Sequence, residues 1–549
     1  MKALFKKNIL VTLTTFLLMV SLCQGCGSQA SKPLPIAIPV LAEFKDRDPN
    51  GVLNLALLGE PSQLNPILST DASSAAVHDS IYEGLIKIDK NLNFIPQLAE
   101  SWKADANGKK ITFFLKKNVL WHDGKPFMAD DVVFTFKKIL DPKTNTVRRS
   151  NYIIEGHPIK VRKVDAYQVE FILAEPFAPL LSSLSMPIIP EHIFSKGDIN
   201  TSDYNRKPVG TGPFTFKEWK TGSYIRLDRN EHYHRHPAYI KSIIFRIIPN
   251  ANTQLVALRK GEIDMADIPP ASFARFTHVK GLNLFISEQL QYIYLGYNLA
   301  NTHFKDKKVR QALAYAVDKP RMVKALFKGL ATPAYAPAAP ASWAYSEKVP
   351  TFPFDPTKAI QILTREGYEK GPNGILQKNG KPFEFTILVN QGNNDRERAA
   401  VVIQDYLKKI GVDAKIQVLE WSAMLRKINE MKDPKDFDAV LIGWSLGIDP
   451  DGYSLWHSSE YPKGFNFIRY RNPEVDKLMV TGRRELDQAK RKLIYRKAFE
   501  LIADDQPYLF LWYPRAISAI SQRVGGYDPI PGPLGIFTDI SEMFVVKKK

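Results

Sequence analysis

At 549 residues the chain is long enough for about three domains, and its 44% hydrophobic and 24% charged residues are ordinary globular proportions. A net charge of +18 turns attention to anionic partners. The Lys and Arg are scattered, however, with Lys547, Lys548 and Lys549 the densest group, and no nucleic-acid-binding signature is present, so nucleic acid is not an expected partner. Cys23 and Cys26 are the two cysteines, so the body beyond them is expected to fold without a disulfide.

The chain opens with Lys2, Lys6 and Lys7, followed by an apolar run from Ile9 to Cys23. That run is shorter than the ~20 residues a helix needs to cross the hydrocarbon core. A basic start, a short apolar stretch and the small Gly25 predict a secretory signal over 1–25. Cysteine at the cut resembles a bacterial lipobox, in which Cys26 takes a diacylglycerol and anchors the mature chain to a membrane. Cys23 departs from that pattern, which usually has Leu there. Residues 26–51, with Pro33, Pro35, Pro39 and Pro49, read as a tether.

Ordered structure is expected from Val52, with a strand over Val52 to Leu57. A strand is predicted at Ile111 to Leu115, a turn at Asp123-Gly124, and a helix from Ala129 to Ile139 that starts on Asp130 and Asp131. Further strands are expected at Gln168 to Leu173, Phe214 to Trp219, Tyr224 to Leu227 and Ile243 to Ile248. Val309 to Val317 reads as a helix and the Pro-rich 331–340 stretch as a surface loop. Strands at Phe383 to Val389 and Ala414 to Val418 flank a helix from Arg396 to Ile410. A short apolar strand at Phe437 to Ile442 and a helix at Arg491 to Ala503 follow. The order is mixed α/β, without a strict βαβ rhythm and without internal repeats.

Gly443-Trp444-Ser445-Leu446-Gly447 fits the Gly-x-Ser-x-Gly pattern of a serine hydrolase, which requires a helix after the turn. Here Pro450 and Gly452 oppose a helix, and His457 is the only later histidine, too close in sequence to serve as a separately delivered base. His232, His234 and His236 alternate as metal ligands on a strand would. Their segment reads as a loop, with Arg229 and Arg235 nearby to repel a cation. No phosphate loop occurs, and Asp130-Asp131 and Asp504-Asp505 read as helix-end charges. No catalytic residue, metal or cofactor is therefore expected. Trp421 and Trp444, each at a strand end, are candidates to line a cleft; plain packing is the alternative for either.

Four segments together resemble the family 5 extracellular solute-binding proteins, the peptide- and nickel-binding lipoproteins of ABC importers. They are Ala99-Glu100-Ser101-Trp102, the stretch Trp121 to Phe127 with Ala129, Asp131, Val132 and Phe134, the stretch Pro208 to Phe214, and the stretch Val309 to Asp318. The resemblance implies a two-lobed fold. Lobe one would span 52–290 with an inserted subdomain near 75–200, and lobe two 291–507. The chain would return to lobe one at 508–545, with hinge crossings near Tyr297-Asn298-Leu299 and Leu509-Phe510-Leu511. It also implies a monomer that captures an oligopeptide between the lobes and delivers it to an ABC permease. The peptide would lie along Gly443, Trp444 and Ser445 as an added strand. Thr70 and Asp71 would face it from lobe one, with Trp421, Asn390 and Asn393 as further walls. Oligopeptide binders of this kind carry an aspartate three residues after the tryptophan to pair with the peptide ammonium; Gly447 stands there in this chain. Asp449, or Asp451 in reserve, is the expected substitute, and a turn-capping role is the alternative for both. A nickel chelate, haem or an oligosaccharide in the same fold, and an exported serine hydrolase using Ser445, are the rival readings.

Overall fold

The computed structural model describes residues 39–547 apart from 70, 431, 463, 529–531 and 534–538. Cys26 and the signal therefore lie outside the described residues. The first strand, β1 (Val52–Leu57), buries alternate residues, as its Leu53-Leu55-Leu57 spacing requires. Three more strands complete its sheet: β6 (Phe214–Lys220), β7 (Tyr224–Arg229) and β8 (Ser242–Ile247), in the order β1-β8-β7-β6. Between β1 and β6 in sequence lies a second four-stranded sheet. It contains β2 (Ala99–Ala104), β3 (Lys110–Leu115), β4 (Lys160–Asp165) and β5 (Gln168–Ile172), ordered β2-β3-β5-β4 and covered by helix α1 (Ala129–Leu140).

A larger eight-stranded array takes up the rest. It is built from β9 (Met265–Asp267), β10 (Leu282–Glu288), β11 (Gln291–Tyr297), β12 (Ala331–Pro333), β13 (Glu384–Asn390), β14 (Asp413–Leu419), β15 (Ala439–Ser445) and the 14-residue β16 (Tyr508–Ser521). β16 is the spine of this array. Its residues 515–521 pair with β10, and its residues 508–512 pair with β11. Since β10 and β11 are separated only by Gln289 and Leu290, the three strands form one ribbon. Among the described residues the ribbon joins one hydrophobic core to another. Leu53, Phe113, Phe245, Phe285 and Ile520 belong to one, and Tyr292, Val440, Trp456, Tyr508 and Tyr513 to the other. The division falls between Phe285 and Tyr292 and between Tyr513 and Ile520.

The segments that carry the resemblance brace the backbone around them. His122 accepts from Gly210 N–H at 3.2 Å through Nδ1, and its Nε2 contacts the Gly212 carbonyl at 3.0 Å. Both contacts are served by the neutral ring that donates from Nε2, and burial pushes this imidazole down to about 4. Gly210 is required because a Cβ there would lie 1.9 Å from the Ile81 carbonyl oxygen. Trp121 donates its indole N–H to Asp131 at 3.2 Å, and the same carboxylate receives the Met128 and Glu191 amides at the start of α1.

Helix α2 (Lys307–Ala316) carries Arg310, whose guanidinium donates to the carbonyls of Phe304, Lys305, Asp505 and Gln506 at 2.7–3.1 Å. These acceptors include the C-terminal carbonyl of a long helix, Gln488–Asp505, that has no intrahelical donor. Gln311 adds a bond to the Asp504 carbonyl at 2.8 Å.

One expectation is corrected. The Pro-rich 331–340 stretch is not a surface loop: its first residues are β12, paired to β16, and Ala334, Ala336, Ala338 and Ala339 are buried. Small side chains let this backbone enter the core, and the Tyr513 hydroxyl satisfies the Ala336 carbonyl at 2.8 Å.

Candidate functional site

β15 reads Ala-Val-Leu-Ile-Gly-Trp-Ser, apolar until its last residues, and burial falls away in the same order. It pairs with β11 along its whole length, from Ala439 opposite Tyr297 to Ser445 opposite Gln291. On its other side β13 accompanies it only as far as Val389 opposite Leu441. Beyond that point, among the described residues, no strand pairs with Ile442 to Ser445 on that side. Leu446 N–H donates to the Leu290 carbonyl at 2.7 Å, which sets the alternation of the ladder. Even-numbered residues turn their main-chain groups towards β11, so those of Gly443 and Ser445 face the open side. A short stretch of unpaired strand edge results, of the kind that accepts an extended chain.

Aromatic rings flank this edge. The Trp444 indole lies parallel to Tyr294 (6.4 Å, 17°), meets Phe465 at 5.5 Å and points its N–H at the Tyr508 hydroxyl at 3.4 Å. Gly443 is held to glycine by its neighbours, because a Cβ there would lie 2.3 Å from Ile293 Cδ1 and 3.3 Å from an Arg396 guanidinium nitrogen. Arg396 stands on the first turn of α3 (Asn394–Lys409) and donates to Asn390 Oδ1 at 2.9 Å. Asn390 is the last residue of β13, so this pair occupies the place where β13 stops and the β15 edge opens.

One cavity adjoins this edge, and another lies against the first core. One, of about 290 Å³, is lined by Trp444, Ser445, Gly447, Asp451, Pro337 and Phe465. The other, of about 960 Å³, is walled by the first core, with Leu58, Ser73 and Asp267 on its lining and Gln289 and Arg515 where the ribbon crosses. It stands at the upper end of the roughly 300–1,000 Å³ typical of small-molecule sites. Elements of the two cores also touch directly: the Arg484 guanidinium reaches Glu155 at 3.0 and 2.5 Å, and Ala178 N–H donates to the Arg483 carbonyl at 2.8 Å.

The expected site residues fall into groups. Gly443, Trp444 and Ser445 form the open edge, with Asn390 beside it. Asn393 caps α3 by accepting from Arg396 N–H at 3.0 Å. Trp421 begins a helix, Trp421–Asn429, and its side chain is outside the described residues, as is Thr70. Asp71 caps the helix Ala72–His78, accepting from the Ser74 amide at 2.8 Å and from the Ser62 and Ser74 hydroxyls at 2.6 Å; burial opposes its ionisation, and these bonds still hold the carboxyl below its usual range.

Asp449 and Asp451 are both already paired. Asp449 receives two bonds from the buried Arg491, at 2.7 and 2.8 Å. Asp451 receives Arg483 Nε at 2.8 Å and the Tyr453 amide at 3.1 Å. Burial pushes the Asp451 carboxyl up despite Arg483. A ligand ammonium would have to compete with a guanidinium at either aspartate. Arg491 and Arg483 lie 42 and 32 residues further along the chain, and no local sequence signal announces them.

The other constellations have ordinary roles. His234 contacts buried Glu83 at 3.0 Å and His236 contacts Glu542 at 2.9 Å, so the alternating histidines diverge. His457 Nδ1 contacts the Ser459 hydroxyl at 2.7 Å and its ring stacks on Tyr453 at 4.1 Å. No helix among the described residues is long and apolar enough to cross a membrane.

Comparison with known proteins agrees with this geometry. The family described as bacterial extracellular solute-binding proteins, family 5 Middle, matches residues 93–465. The oligopeptide-binding protein AppA of Bacillus subtilis is 37% identical over 539 residues, 96% of each chain. Its solved structure, in complex with a nonapeptide, superposes with a TM-score of 0.79 over 90% of this chain and 99% of that one. NikZ from Campylobacter jejuni, solved with Ni(L-His), is 30% identical with a TM-score of 0.80, covering 90% of this chain and 100% of that one.

Proposed function

Because this chain belongs to the family 5 bacterial extracellular solute-binding proteins, we propose that it captures oligopeptides between two lobes and passes them to the permease of an ABC importer. The observation that carries this reading is the open edge of β15. Gly443 and Ser445 offer main-chain donors and acceptors to an extended backbone, and such bonds are blind to side-chain identity. The cavity of about 290 Å³ lined by Trp444 and Ser445 gives side chains room. AppA, solved with a nonapeptide, supports peptide over other solutes.

In this reading lobe one comprises 52–290 with the 508–545 return and the 75–200 insertion, and lobe two comprises 291–507. The division of the two cores supports the break at 290 and moves the return from 508 to Pro514, because Tyr508, Phe510 and Tyr513 belong to the second core. The hinge of this reading moves from the expected Tyr297-Asn298-Leu299 and Leu509-Phe510-Leu511 to Gln289-Leu290 and Pro514, where the ribbon passes from one core to the other. The protein acts as a monomer, held to the membrane through lipid on Cys26. A second reading, a chelated nickel ion, is favoured by the solved NikZ complex. Among the described residues no cluster of three metal-ligating side chains occurs, so a chelate would bring its own donors.

Native mass spectrometry of the purified protein tests the reading. A ladder of peptide masses, released unchanged, is expected; a single metal-chelate mass, or no carried solute and no added peptide retained, would overturn it. Ser445→Ala should leave capture within a few-fold of wild type, because the main chain makes the contact. Cys26→Ser should give a folded protein that no longer needs detergent for release from membranes. Detergent-free release of the wild type would contradict the anchor.

A further inference from the structure

The two lobes of the reading above also meet away from the ribbon. Helix Pro473–Arg484 belongs to lobe two, and the contacts come from its last residues and the turn after it. The Arg483 carbonyl accepts from Ala178 N–H at 2.8 Å, and Arg484 donates to both Glu155 oxygens at 3.0 and 2.5 Å. Leu486 covers Gly108, where a Cβ would lie 2.4 Å from its Cδ1. The Arg483 guanidinium stands 5.3 Å from the Phe177 ring. Residues 108, 155, 177 and 178 all fall in the 75–200 insertion of lobe one. Among the described residues no other ion pair crosses between the lobes away from the ribbon.

Glu155 is an unexpected residue for its backbone. With Gly156 it forms the two-residue turn between Ile153–Ile154 and His157–Pro158, at φ +51° and +85°. A turn with two positive φ values favours Asn, Asp or Gly at its first position, because a longer side chain crowds the left-handed backbone. Glutamate is disfavoured there, and the partner it reaches is Arg484, which holds its carboxyl below the usual range. Arg483 also faces the other way. Its Nε donates to Asp451 at 2.8 Å and its guanidinium lies 3.9 Å from the Tyr453 ring. Asp451 lines the cavity that also takes in Trp444 and Ser445. One arginine thus touches the wall of the ligand cavity with its side chain and lobe one with its main chain.

We propose that residues 483–486 and Glu155 form a clasp between the lobes, that Arg483 is the positioning residue tying it to the ligand cavity through Asp451, and that the clasp sets how long a captured peptide is held. The inference rests on the peptide reading above and goes beyond it in naming the contacts that govern release. A contact made only when the lobes are together opposes release and not encounter, so it acts on the dissociation rate. The Arg484 and Glu155 side chains are 47% and 37% exposed, so salt screens their attraction.

The test uses the full-length protein and a mixed library of tri- to hexapeptides, from which native mass spectrometry picks the retained sequences. Release is timed with a fluorescently labelled retained peptide chased by unlabelled peptide, and association by stopped flow. Glu155→Asn suits the turn and removes the charge. It should leave the unfolding temperature of the ligand-free protein equal or raised, yet speed release about two- to five-fold, the contribution of a part-exposed ion pair. Its association rate should stay within about two-fold of wild type. Glu155→Arg should release faster still, and Glu155→Arg combined with Arg484→Glu should return the rate towards wild type. Added salt should speed release from wild type more than from Glu155→Asn. Arg483→Gln should also speed release, with Arg483→Lys recovering part of the loss. Wild-type release from Glu155→Asn, or a double reversal no slower than Glu155→Arg alone, would overturn the inference while leaving peptide capture standing. Failure of the wild type to retain any peptide would overturn both. If Arg483→Gln does not fold, the variants of the exposed Glu155 decide alone.

Discussion

Asp449→Asn is expected to destabilise the protein by about 3–5 kcal/mol, the usual cost of removing one partner from a buried charge pair. Arg491 is 5% exposed and is bound by both Asp449 oxygens. Its Nε is taken by the Gly482 carbonyl at 2.9 Å. Burial alone would push this guanidinium down, and the Asp449 carboxylate reverses the shift. Asparagine keeps the shape but removes the charge, so the cation is left uncompensated in the second core. Thermal or urea unfolding of the variant measures the loss. Among molecules that remain folded, peptide affinity should change little. Unchanged stability together with much weaker binding of peptides that have a free amino group would mean that Asp449 serves the ligand, as the sequence alone suggests.

Arg310→Met is expected to cost a similar amount, about 3–5 kcal/mol, for a different reason. No opposite charge is lost. Four carbonyls lose their donor, and each buried acceptor left bare costs about 1–3 kcal/mol, moderated by whatever water enters. Two of them, Asp505 and Gln506, stand at the C-terminal end of the long helix, and two, Phe304 and Lys305, in the turn before α2. The variant should therefore unfold at lower urea with its peptide selectivity intact. A variant as stable as wild type but unable to bind peptide would show that this segment acts on the ligand directly.

Elements with a clear period were legible. The alternation in Val52–Leu57 and the Asp-started helix at Ala129 appear in the structure with boundaries within a residue or so. The four segments that carry the family resemblance were legible as identity but not as purpose. His122, Gly210 and Arg310 brace backbone far from them in sequence, and sequence does not display main-chain acceptors. The Pro-rich 331–340 stretch misled because composition marks a break in regular structure but not its depth. At the site, Trp444 stood out through the glycine beside it at a strand end, and Gly443 and Ser445 through the family resemblance alone. The pairing of Asp449 and Asp451 was not visible, since each partner is a distant arginine.

Arg396 was missed although a signal exists. Residues 396, 399, 400, 403 and 407 fall on one face of the helix, and four of the five are apolar. A lone arginine inside such a stripe marks a charge that the fold has chosen to bury.

The central claim is that a peptide is held as an added strand on the open edge of β15. Amide hydrogen exchange resolved to single residues at Gly443 and Ser445, with and without a saturating peptide ligand, tests it most directly. Those two amides, which face no strand in the absence of ligand, should become strongly protected when peptide is bound, while Trp444, already paired with β11, should change little. Exchange at Gly443 and Ser445 that stays fast with the peptide demonstrably bound would contradict it.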